Sequence, residues 1–502
     1  MQIVTAKEMY EIDRLTIEKG GVDGKLLMEN AGRSIVNHML PIIDRTKSIL
    51  VLVGGGNNGG DGFVIARTLL TDGYDVLVVQ LVPDYKIKGE AAYHKQLWLN
   101  FGGIVHVFQD TSMIRRYLLD ADIVVDAMLG IGISGEVRQP LKDVIGLVNQ
   151  VEALTISVDI PSGLPADEGE SHFEAVVADY TFIVEHPKMS LFLESCSPFY
   201  GKWEVVKIGL FHSNLSSGSR IAWRERDVKR TLPKRSRNSH KGTHGRGLVI
   251  GGSSTMPGSI AMTLKAALRS GAGLITGGTI NEVFSSIASH CVEATYLPLL
   301  GKAGAMTTQP VDVSMYNAIA IGMGMGRNEE TAAFTRQLVK DVTKPILIDA
   351  DGLHHIKDDL ASISQRKQPT ILTPHPGEMA MLTGISVREI LLHPFEVSKQ
   401  FAYEHNVYLV LKGPHTIITD PNGNQLVNTT GNQGLAKGGS GDVLSGVLLA
   451  MIMQEQSMIE ALANGCFIHG KSADLLISSH RSTEDLLATD VIDGLASVFR
   501  TL

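Results

Sequence analysis

A glycine-rich segment between a buried strand and a helix sets the tightest constraint on the fold. The sequence GGGNNGGDG occupies residues 54–62, after the apolar run ILVLV at 49–53 and before a helix-like run at 63–70. A strand that passes through such a turn into a helix presents backbone N–H groups and the positive helix end to an anion. Two asparagines and an aspartate exceed what a phosphate loop needs, so this turn is predicted to do more than bind phosphate.

Strand-like and helix-like segments alternate along both halves of the chain. Strand candidates in the first half lie at 49–53, 76–81, 104–108, 123–127, 155–159 and 180–184. Those in the second half lie at 248–250, 274–276, 318–321, 346–349, 370–372 and 408–412, followed by a hairpin around DPNG at 420–423 and by helices from Gly441 onward. The pattern predicts a Rossmann-like doubly wound sheet and then a second α/β domain.

Length and composition place limits on the class of protein. The 502 residues exceed a typical single domain, and a net charge of −8 argues against a nucleic-acid partner. Three widely spaced cysteines indicate buried thiols in a reducing compartment. The sequence starts without a secretory signal and its apolar runs are too short for a bilayer, so we expect a cytoplasmic protein without a membrane partner.

A basic stretch separates the two halves. RERDVKR and PKRSRNSHKGTHGR, within residues 224–246, have little apolar periodicity. We therefore expect a first domain over residues 1–215, a basic linker over 216–240 and a second domain over 241–502.

The first glycine turn also matches GxGxxG, through Gly54, Gly56 and Gly59. That fingerprint of dinucleotide-binding dehydrogenases needs an acid at the end of the next strand to bind the ribose hydroxyls. The next strand ends near Gln80, with no acid in place. The sequence therefore argues against a hydride-transfer domain.

Polar side chains follow several strands of the first half. Asn58 lies in the turn, Asp126 ends one strand, and Ser162 follows the strand that ends at Asp159. Ligands of open α/β sheets bind at the carboxyl ends of strands, so these oxygens are predicted to converge on one hard cation. Each residue alone is also a common turn or cap residue, but the set at successive strand ends favours a site.

The second half carries its own glycine-rich element, GLAKGGSGDVLSG at residues 434–446. Asp442 lies in the first turn of the helix that follows, where it could accept the proton of an attacking hydroxyl while backbone amides stabilise a phosphoryl group. A carboxylate favourable to the helix dipole is the alternative. TPHPGE at 373–378, KGPHT at 412–416, DAD at 349–351 and IGMGMG at 321–326 follow other strands.

A Walker A pattern, GCFIHGKS at residues 465–472, is predicted to be a chance match. A phosphate loop must join a strand to a helix, whereas the apolar residues around this segment recur at helical spacing.

The first half resembles the epimerase family that acts on hydrated nicotinamide nucleotides, through GNNGGDG at 56–62, DAMLGIGISGE at 126–136 and DIPSGL at 159–164. The resemblance implies that Asn58, Asp126 and Ser162 bind potassium and that the Asp159 carboxylate is the acid–base group facing the hydrated ring. It further implies a hydrate-binding set of Asn57, Asn58, Gly59, Gly60, Asp61, Gly130, Ile131, Gly132, Ile133, Ser134, Gly135, Glu136 and Asp159.

The second half resembles the ribokinase-like, nucleotide-dependent dehydratases of hydrated NADH and NADPH, through TPHPGE, KGPHT, GNQGLAKGGSGD, LVIGGSSTMPGS and AALRSGAGL. The resemblance implies that Gly324, His375 and Asp442 contact the hydrate, with Asp442 catalytic. It implies a nucleotide-binding set of Lys412, Gly413, Pro414, His415, Thr416 and Gly441. Ile260, within PGSIA, stands where the family usually has a small residue.

Together the resemblances imply a bifunctional repair enzyme. The first domain would interconvert the R and S hydrates of NADH and NADPH, and the second would dehydrate the S form at the expense of ADP, giving AMP and phosphate. Potassium would serve the epimerase and Mg²⁺ would accompany ADP, in a homo-oligomer. The alternatives are a small-molecule kinase of the ribokinase class and a first domain that binds the hydrate without catalysis.

Overall fold

The computed structural model describes residues 1–133, 135–210 and 219–502. The chain forms two compact units, one with the described residues 2–210 and the other with residues 219–502 and Met1, and each unit has its own sheet and apolar core. The predicted end of the first domain at residue 215 falls outside the described residues. Within the described ranges, no helix combines the length and the apolar character that crossing a membrane requires.

The first unit is built on a seven-stranded parallel sheet in the order β3-β2-β1-β4-β5-β6-β7. Its central strand β1 is almost wholly buried, as expected for a parallel strand covered on both faces by helices. The strand order reverses direction between β1 and β4, which is where doubly wound sheets bind their ligands. The strands are β1 (Ser48–Val53), β2 (Asp75–Gln80), β3 (Val105–Val107), β4 (Ile123–Ala127), β5 (Leu154–Val158), β6 (Tyr180–Val184) and β7 (Lys202–Val206).

Helices cover both faces of this sheet, which confirms the doubly wound prediction. Two helices precede β1, where the sequence analysis placed none; the first begins with a capping box between Thr5 and Glu8. The helices are α1 (Ala6–Glu18), α2 (Gly24–Met39), α3 (Asn57–Thr71), α4 (Gly89–Asn100), α5 (Thr111–Asp120) and α6 (Leu141–Val148).

The second unit is built on a ten-stranded sheet in the order β11-β10-β9-β14-β15-β16-β17-β18-β19-β8. The strands from β11 to β17 are parallel, and β18 and β19 form the antiparallel hairpin predicted around DPNG. The strands are β8 (Arg220–Trp223), β9 (Arg246–Ile250), β10 (Leu274–Ile280), β11 (Thr295–Leu299), β14 (Ala318–Ile321), β15 (Ile346–Ile348), β16 (Thr370–Leu372), β17 (Tyr408–Leu411), β18 (Ile417–Thr419) and β19 (Gln425–Asn428), with a small hairpin of β12 (Gly301–Lys302) and β13 (Ala305–Met306).

Helices follow most of these strands and close the chain. As predicted, the residues after Gly441 are mainly helical. The helices are α7 (Glu225–Thr231), α8 (Pro257–Arg269), α9 (Asn281–His290), α10 (Glu329–Asp341), α11 (Asp351–Ile356), α12 (Leu360–Ser364), α13 (Pro376–Thr383), α14 (Val387–Leu392), α15 (Pro394–His405), α16 (Ser440–Ile452), α17 (Met458–Ser479) and α18 (Ala488–Thr501).

The predicted linker is wrong in its first half. Residues 220–223 form β8, which pairs in parallel with β19 at the edge of the second sheet, and α7 follows directly. Ala222 and Trp223 are buried in the second unit, and the Trp223 indole donates a hydrogen bond to Asn464 Oδ1 at 2.9 Å. These residues bury apolar surface and complete a sheet, so they belong to the domain. Residues 233–240 lie outside helices and strands.

Candidate active sites

The glycine turn of the first unit is largely the start of α3. The helix begins at Asn57, earlier than the predicted residue 63, and Gly56 caps it without a side-chain hydrogen bond. The first-turn N–H groups of α3 therefore have no side-chain cap and point toward the carboxyl edge of the sheet. Asn57, Asn58, Gly59, Gly60 and Asp61 all lie in these first turns, at a helix end that favours an anion.

Most glycines of this turn serve close packing. A Cβ atom on Gly54 would lie 1.8 Å from the Met128 carbonyl oxygen, and one on Gly59 would lie 2.2 Å from the Gly54 carbonyl oxygen. Gly60 and Gly62 are similarly crowded by neighbouring side chains. Around Gly56, by contrast, nothing approaches a Cβ atom within 4 Å. The glycines therefore let α3 approach β1 and β4, and Gly56 leaves open space at the helix end.

The three residues predicted to bind a cation do converge. All three are buried, and they meet around the backbone of Leu129. Asn58 Nδ2 donates to the Leu129 carbonyl oxygen at 2.7 Å, and Ser162 Oγ accepts from the Leu129 N–H at 2.8 Å. Ser162 Oγ in turn donates to Asp126 Oδ1 at 2.5 Å. The carboxyl ends of β1, β4 and β5 bring these oxygens together as the sequence predicts.

This oxygen cluster fits a hard monovalent cation. Asn58 Oδ1 is buried and has no hydrogen-bond partner among the described residues, which is a costly state unless a ligand satisfies it. Burial raises the pKa of Asp126, while hydrogen bonds from Ser162 and Ser157 oppose that rise. Within the described ranges, no three His, Cys, Asp or Glu side chains group as a metal centre. The donor set is one carboxylate with neutral oxygens, which suits potassium better than a transition metal.

Asp159 lies at the end of β5 in a strained backbone conformation, with φ of 66°. Its Oδ1 atom accepts hydrogen bonds from the Val184 N–H at 2.9 Å and from Lys188 Nζ at 2.5 Å. The Lys188 side chain is 1% exposed and that of Asp159 is 14% exposed. A buried ammonium thus holds one oxygen of the carboxylate, and Oδ2 has no hydrogen-bond partner among the described residues.

A cavity of about 490 Å³ joins these elements. It is lined by Asp159, by the start of α3, and by Gly130, Ile131, Gly132 and Ile133 of the loop after β4. Ser134 lies outside the described residues, and Glu136 lines a neighbouring cavity with Gly132 and Ile133. Gly135 adopts φ of 74° and lines neither cavity. The first half of the predicted loop therefore borders the space around Asp159.

Helix α1 and Lys188 also contribute to this site, although neither is predicted from the sequence. Tyr10 and Asp13 of α1 line the same cavity as Asp61 and Asp159. Burial and the charges of Asp159 and Asp13 raise the pKa of Asp61 well above its usual range. Burial also raises the pKa of Asp13 to about 6. The TxxE capping box before α1 was the available signal for that helix; no local pattern marks Lys188.

In the second unit, Asp442 lies in the first turn of α16, as predicted, behind Gly439 with φ of 93°. Burial, and then the negative charge of Asp349, raise the pKa of Asp442 to about 6. A hydrogen bond from Ser259 and the Lys412 charge oppose that rise. A carboxylate with a pKa near the working pH is suited to accept and return a proton.

A buried ion pair lies beside Asp442. Lys412 Nζ donates to Asp349 Oδ1 at 2.9 Å and lies 3.6 Å from Glu378 Oε2, while Ser445 Oγ donates to Asp349 Oδ2 at 2.7 Å. Burial disfavours the Asp349 carboxylate, but Lys412 and Ser445 outweigh it and lower the pKa of Asp349. The Lys412 ammonium is thus paired with two carboxylates of the protein.

His375 is the N-cap of α13. Its Nδ1 atom accepts from the Gly377 N–H at 3.0 Å and from the Glu378 N–H at 3.3 Å, and Glu378 Oε2 accepts from the His375 N–H at 2.9 Å. The imidazole is 56% exposed, and its Nε2 atom lies 3.6 Å from Glu378 Oε1. The cap fixes the orientation of the ring, with Nδ1 as the hydrogen-bond acceptor.

The remaining predicted residues surround this region. Gly324 has φ of 64°, and a Cβ atom there would lie 2.8 Å from Ser259 Cβ. Gly441 is close to Lys412 Nζ, and Gly413 and Pro414 are exposed in the turn between β17 and β18. His415 is partly buried, and Thr416 is buried and donates to the Gly413 carbonyl oxygen.

Three further motifs have structural roles. In the DAD motif, the Asp351 carboxylate accepts hydrogen bonds from the Gly326 N–H and from Arg327. The Asp349 carboxylate is paired with Lys412. Both carboxylates are therefore engaged within the protein. The Walker A match lies inside α17, which confirms that it is a chance match. Ile260 is fully buried in α8 and would lie 2.8 Å from a Cβ atom on Gly252, so its size affects packing beneath the loop.

Comparison with known proteins assigns both units. Residues 247–496 match the family described as NAD(P)H-hydrate dehydratase, and residues 24–190 match the family described as YjeF-related protein N-terminus. The bifunctional NAD(P)H-hydrate repair enzyme of Moorella thermoacetica is 34% identical over 524 residues, which span 100% of this chain and 97% of that protein.

Two crystal structures resemble the second unit. The ADP/ATP-dependent NAD(P)H-hydrate dehydratase from Bacillus subtilis, co-crystallized with ATP and Mg²⁺, is 34% identical with a TM-score of 0.50, covering 56% of this chain and 98% of that one. A ribokinase-like superfamily protein from Enterococcus faecalis is 22% identical with a TM-score of 0.50, covering 58% and 99%. The predicted ribokinase-like fold is thereby confirmed.

The full-length match and the two family matches confirm the resemblance seen in the motifs: this chain belongs to the family of bifunctional NAD(P)H-hydrate repair enzymes.

Proposed function

We propose that this chain repairs hydrated NADH and NADPH in two reactions. The first unit interconverts the R and S hydrates, and the second dehydrates the S hydrate at the expense of ADP, releasing AMP and phosphate. The observation that carries the first half is the Asp159 carboxylate, held at one oxygen by buried Lys188 and open to a cavity at the other. Membership of the family supports both activities.

In the first unit, Asp159 exchanges a proton with the hydroxyl group on the ring carbon that is inverted. The α3 start, with Asn57, Asn58, Gly59, Gly60 and Asp61, and the loop with Gly130, Ile131, Gly132, Ile133, Ser134, Gly135 and Glu136 bind the rest of the nucleotide. The open space at Gly56 and the uncapped N–H groups of α3 suit its pyrophosphate.

Potassium at this site would be held by Asn58, Asp126 and Ser162, and the Leu129 carbonyl oxygen is a further candidate ligand. The ion would supply a positive charge beside the pyrophosphate-binding turn. Adding potassium chloride to protein kept in tetramethylammonium chloride should raise the melting temperature of the first unit, and Asn58→Leu should remove that increase. An unchanged melting temperature in the unsubstituted protein would argue against a potassium site.

In the second unit, Asp442 takes the proton from the hydrate's hydroxyl as that oxygen attacks the terminal phosphoryl group of ADP. AMP leaves, phosphate then departs from the ring carbon, and the adjacent ring carbon gives up a proton to solvent, which restores the carbon–carbon double bond of the dihydronicotinamide. Gly324, His375 and Asp442 contact the hydrate. Lys412, Gly413, Pro414, His415, Thr416 and Gly441 form the nucleotide site, where the exposed backbone of the 413–414 turn is the available surface. Mg²⁺ arrives with the nucleotide phosphates.

Product analysis tests this half against the kinase alternative. Protein incubated with the S hydrate and ADP should yield AMP, free phosphate and NADH in equal amounts. A stable phosphorylated product without free phosphate would indicate a kinase. Substituting ATP tests the choice of nucleotide, because a strict ADP enzyme should show little product with ATP.

We further propose that the protein is a homo-oligomer, a prediction that rests on its family resemblance. We also propose that it is cytoplasmic, because its free cysteines suit a reducing compartment. Light scattering on the purified chain tests the first part; a mass equal to one chain at working concentration would refute it.

A further inference from the structure

The epimerase cavity contains more carboxyl groups than one proton-transfer residue requires. Asp13, Asp61 and Asp159 all line it, and the Lys188 ammonium is in contact with Asp159. Like charges that share a partly buried cavity disfavour the simultaneous ionisation of neighbouring carboxyl groups, which favours a protonated carboxyl group beside an ionised one. The site therefore offers both a proton acceptor and a proton donor.

Asp13 is placed on the inner face of its helix. Tyr10, Asp13 and Ile17 recur at helical spacing along α1 and line the cavity together. The neighbouring charged residues Glu11, Arg14 and Glu18 form ion pairs with one another on the solvent side. Among the described residues, no hydrogen bond occupies the Asp13 carboxylate, so it is available to a ligand.

The chain entering α1 is attached to the segment that carries Lys188. The Val4 N–H donates to the Pro187 carbonyl oxygen at 3.0 Å, and Val4 forms a β-bridge with Lys188. The Ala6 N–H donates to Asp167 Oδ1 at 2.9 Å. These contacts hold the helix of Asp13 over the cavity, whereas Asp159 approaches from the end of β5 in the sheet. The two carboxyl groups thus reach the cavity from different layers of the fold.

We propose that Asp13 is the second acid–base residue of the epimerase and works on the ring face opposite to Asp159. This inference rests on the epimerase activity proposed above. Inversion at one carbon requires bond breaking on one face and bond formation on the other, so groups on both faces match the reaction.

The step balances with water as the only co-reactant. The protonated carboxyl group on one face gives its proton to the departing hydroxyl, the carbon–oxygen bond breaks, and the ring nitrogen lone pair forms a carbon–nitrogen double bond. A water on the opposite face then attacks the same carbon, the electron pair returns to nitrogen, and the second carboxylate takes the proton of that water. One water leaves and one enters, and the two carboxyl groups exchange roles in the reverse direction.

The test follows purified R and S hydrates of NADH in water enriched in the heavy oxygen isotope, with the full-length protein and without nucleotide, so that the dehydratase is silent. Every inversion by the unsubstituted protein should incorporate one solvent oxygen. Asp13→Asn should lower the rate constant for inversion by about 100-fold or more while the dissociation constant for the hydrate changes less than about threefold. Glu18→Gln, on the solvent face of the same helix, should behave as the unsubstituted protein.

The two variants should also differ by epimer. Asp13→Asn retains Asp159, so it should still exchange the hydroxyl oxygen with solvent, without inversion, on the epimer whose hydroxyl faces Asp159. Asp159→Asn should show this exchange without inversion only on the other epimer. Retained inversion in Asp13→Asn, weakened hydrate binding with an unchanged rate constant, or inversion without solvent oxygen would each overturn the proposal. If the unsubstituted protein does not equilibrate the epimers, the proposed epimerase function itself fails.

Discussion

Replacing the Asp442 carboxylate should make the second unit more stable and less active. Burial and the charge of Asp349 raise the pKa of Asp442 from 3.8 to about 6, so the folded state disfavours the ionised form. A rise of about 2 pH units corresponds to about 3 kcal/mol at about 1.4 kcal/mol per unit. Because Asp442 is partly exposed, solvent screening reduces the expected penalty to about 1–2 kcal/mol.

The size of this effect depends on pH. A raised folded-state pKa means that the folded protein binds the proton more tightly than the unfolded chain, so the penalty is complete above about pH 6 and disappears as the pH falls toward 3.8. Asp442→Asn removes the charge. The variant should therefore exceed the unsubstituted protein in stability at pH about 8, and the difference should disappear near pH 4.

Scanning calorimetry at several pH values measures this difference, and the transition of the second unit is identified by its shift with Mg²⁺ and ADP. Dehydratase turnover should fall by about 100-fold or more in the same variant, because the catalytic base is lost. Asp493→Asn, in an exposed pair with Lys265, is the matched control and should change neither quantity. A destabilised Asp442→Asn variant, or a stabilisation independent of pH, would refute the reasoning.

Three further substitutions test the first unit. Lys188→Met removes the ammonium from Asp159, so the rate of epimerisation should fall by about 100-fold. The free energy of unfolding of the first unit should fall by about 3–5 kcal/mol, because the Asp159 carboxylate loses its buried partner. Unchanged epimer equilibration would contradict the role of the pair. Gly59→Ala places a Cβ atom 2.2 Å from the Gly54 carbonyl oxygen and should cost about 1–3 kcal/mol in a denaturant titration. Gly56→Ala, where the space is open, should stay within about 0.5 kcal/mol; equal effects would show that packing does not explain these glycines.

The sheets and the strand-end residues could be predicted from the sequence because their signals are local. Buried parallel strands appear as short apolar runs, and β4, β6, β14 and β16 have the predicted bounds. The convergence of Asn58, Asp126 and Ser162 follows from one rule about the carboxyl edges of parallel strands. The position of Asp442 in the first turn of α16 could be predicted because a glycine-rich segment precedes an apolar helix.

The parts that could not be predicted depend on contacts between distant segments. Asp13 lines the Asp159 cavity from a helix before β1, Lys188 contacts Asp159 from a turn after β6, and no local pattern connects them. The early start of α3 runs against the low helix propensity of glycine, and close packing against β1 and β4 outweighs it. Likewise, β8 is fixed by pairing with β19, which its basic surroundings do not reveal.

The central claim is that one chain performs both repair reactions with separate carboxylates. The most direct measurement is the amount of NADH recovered from an equal mixture of R and S hydrates with ADP, Mg²⁺ and potassium, over a time in which the hydrates do not interconvert unaided. The unsubstituted protein should recover all of the NADH. The Asp159→Asn variant should recover half of it, and the Asp442→Asn variant should recover almost none. Recovery of only half by the unsubstituted protein, or of all by Asp159→Asn, would contradict the account.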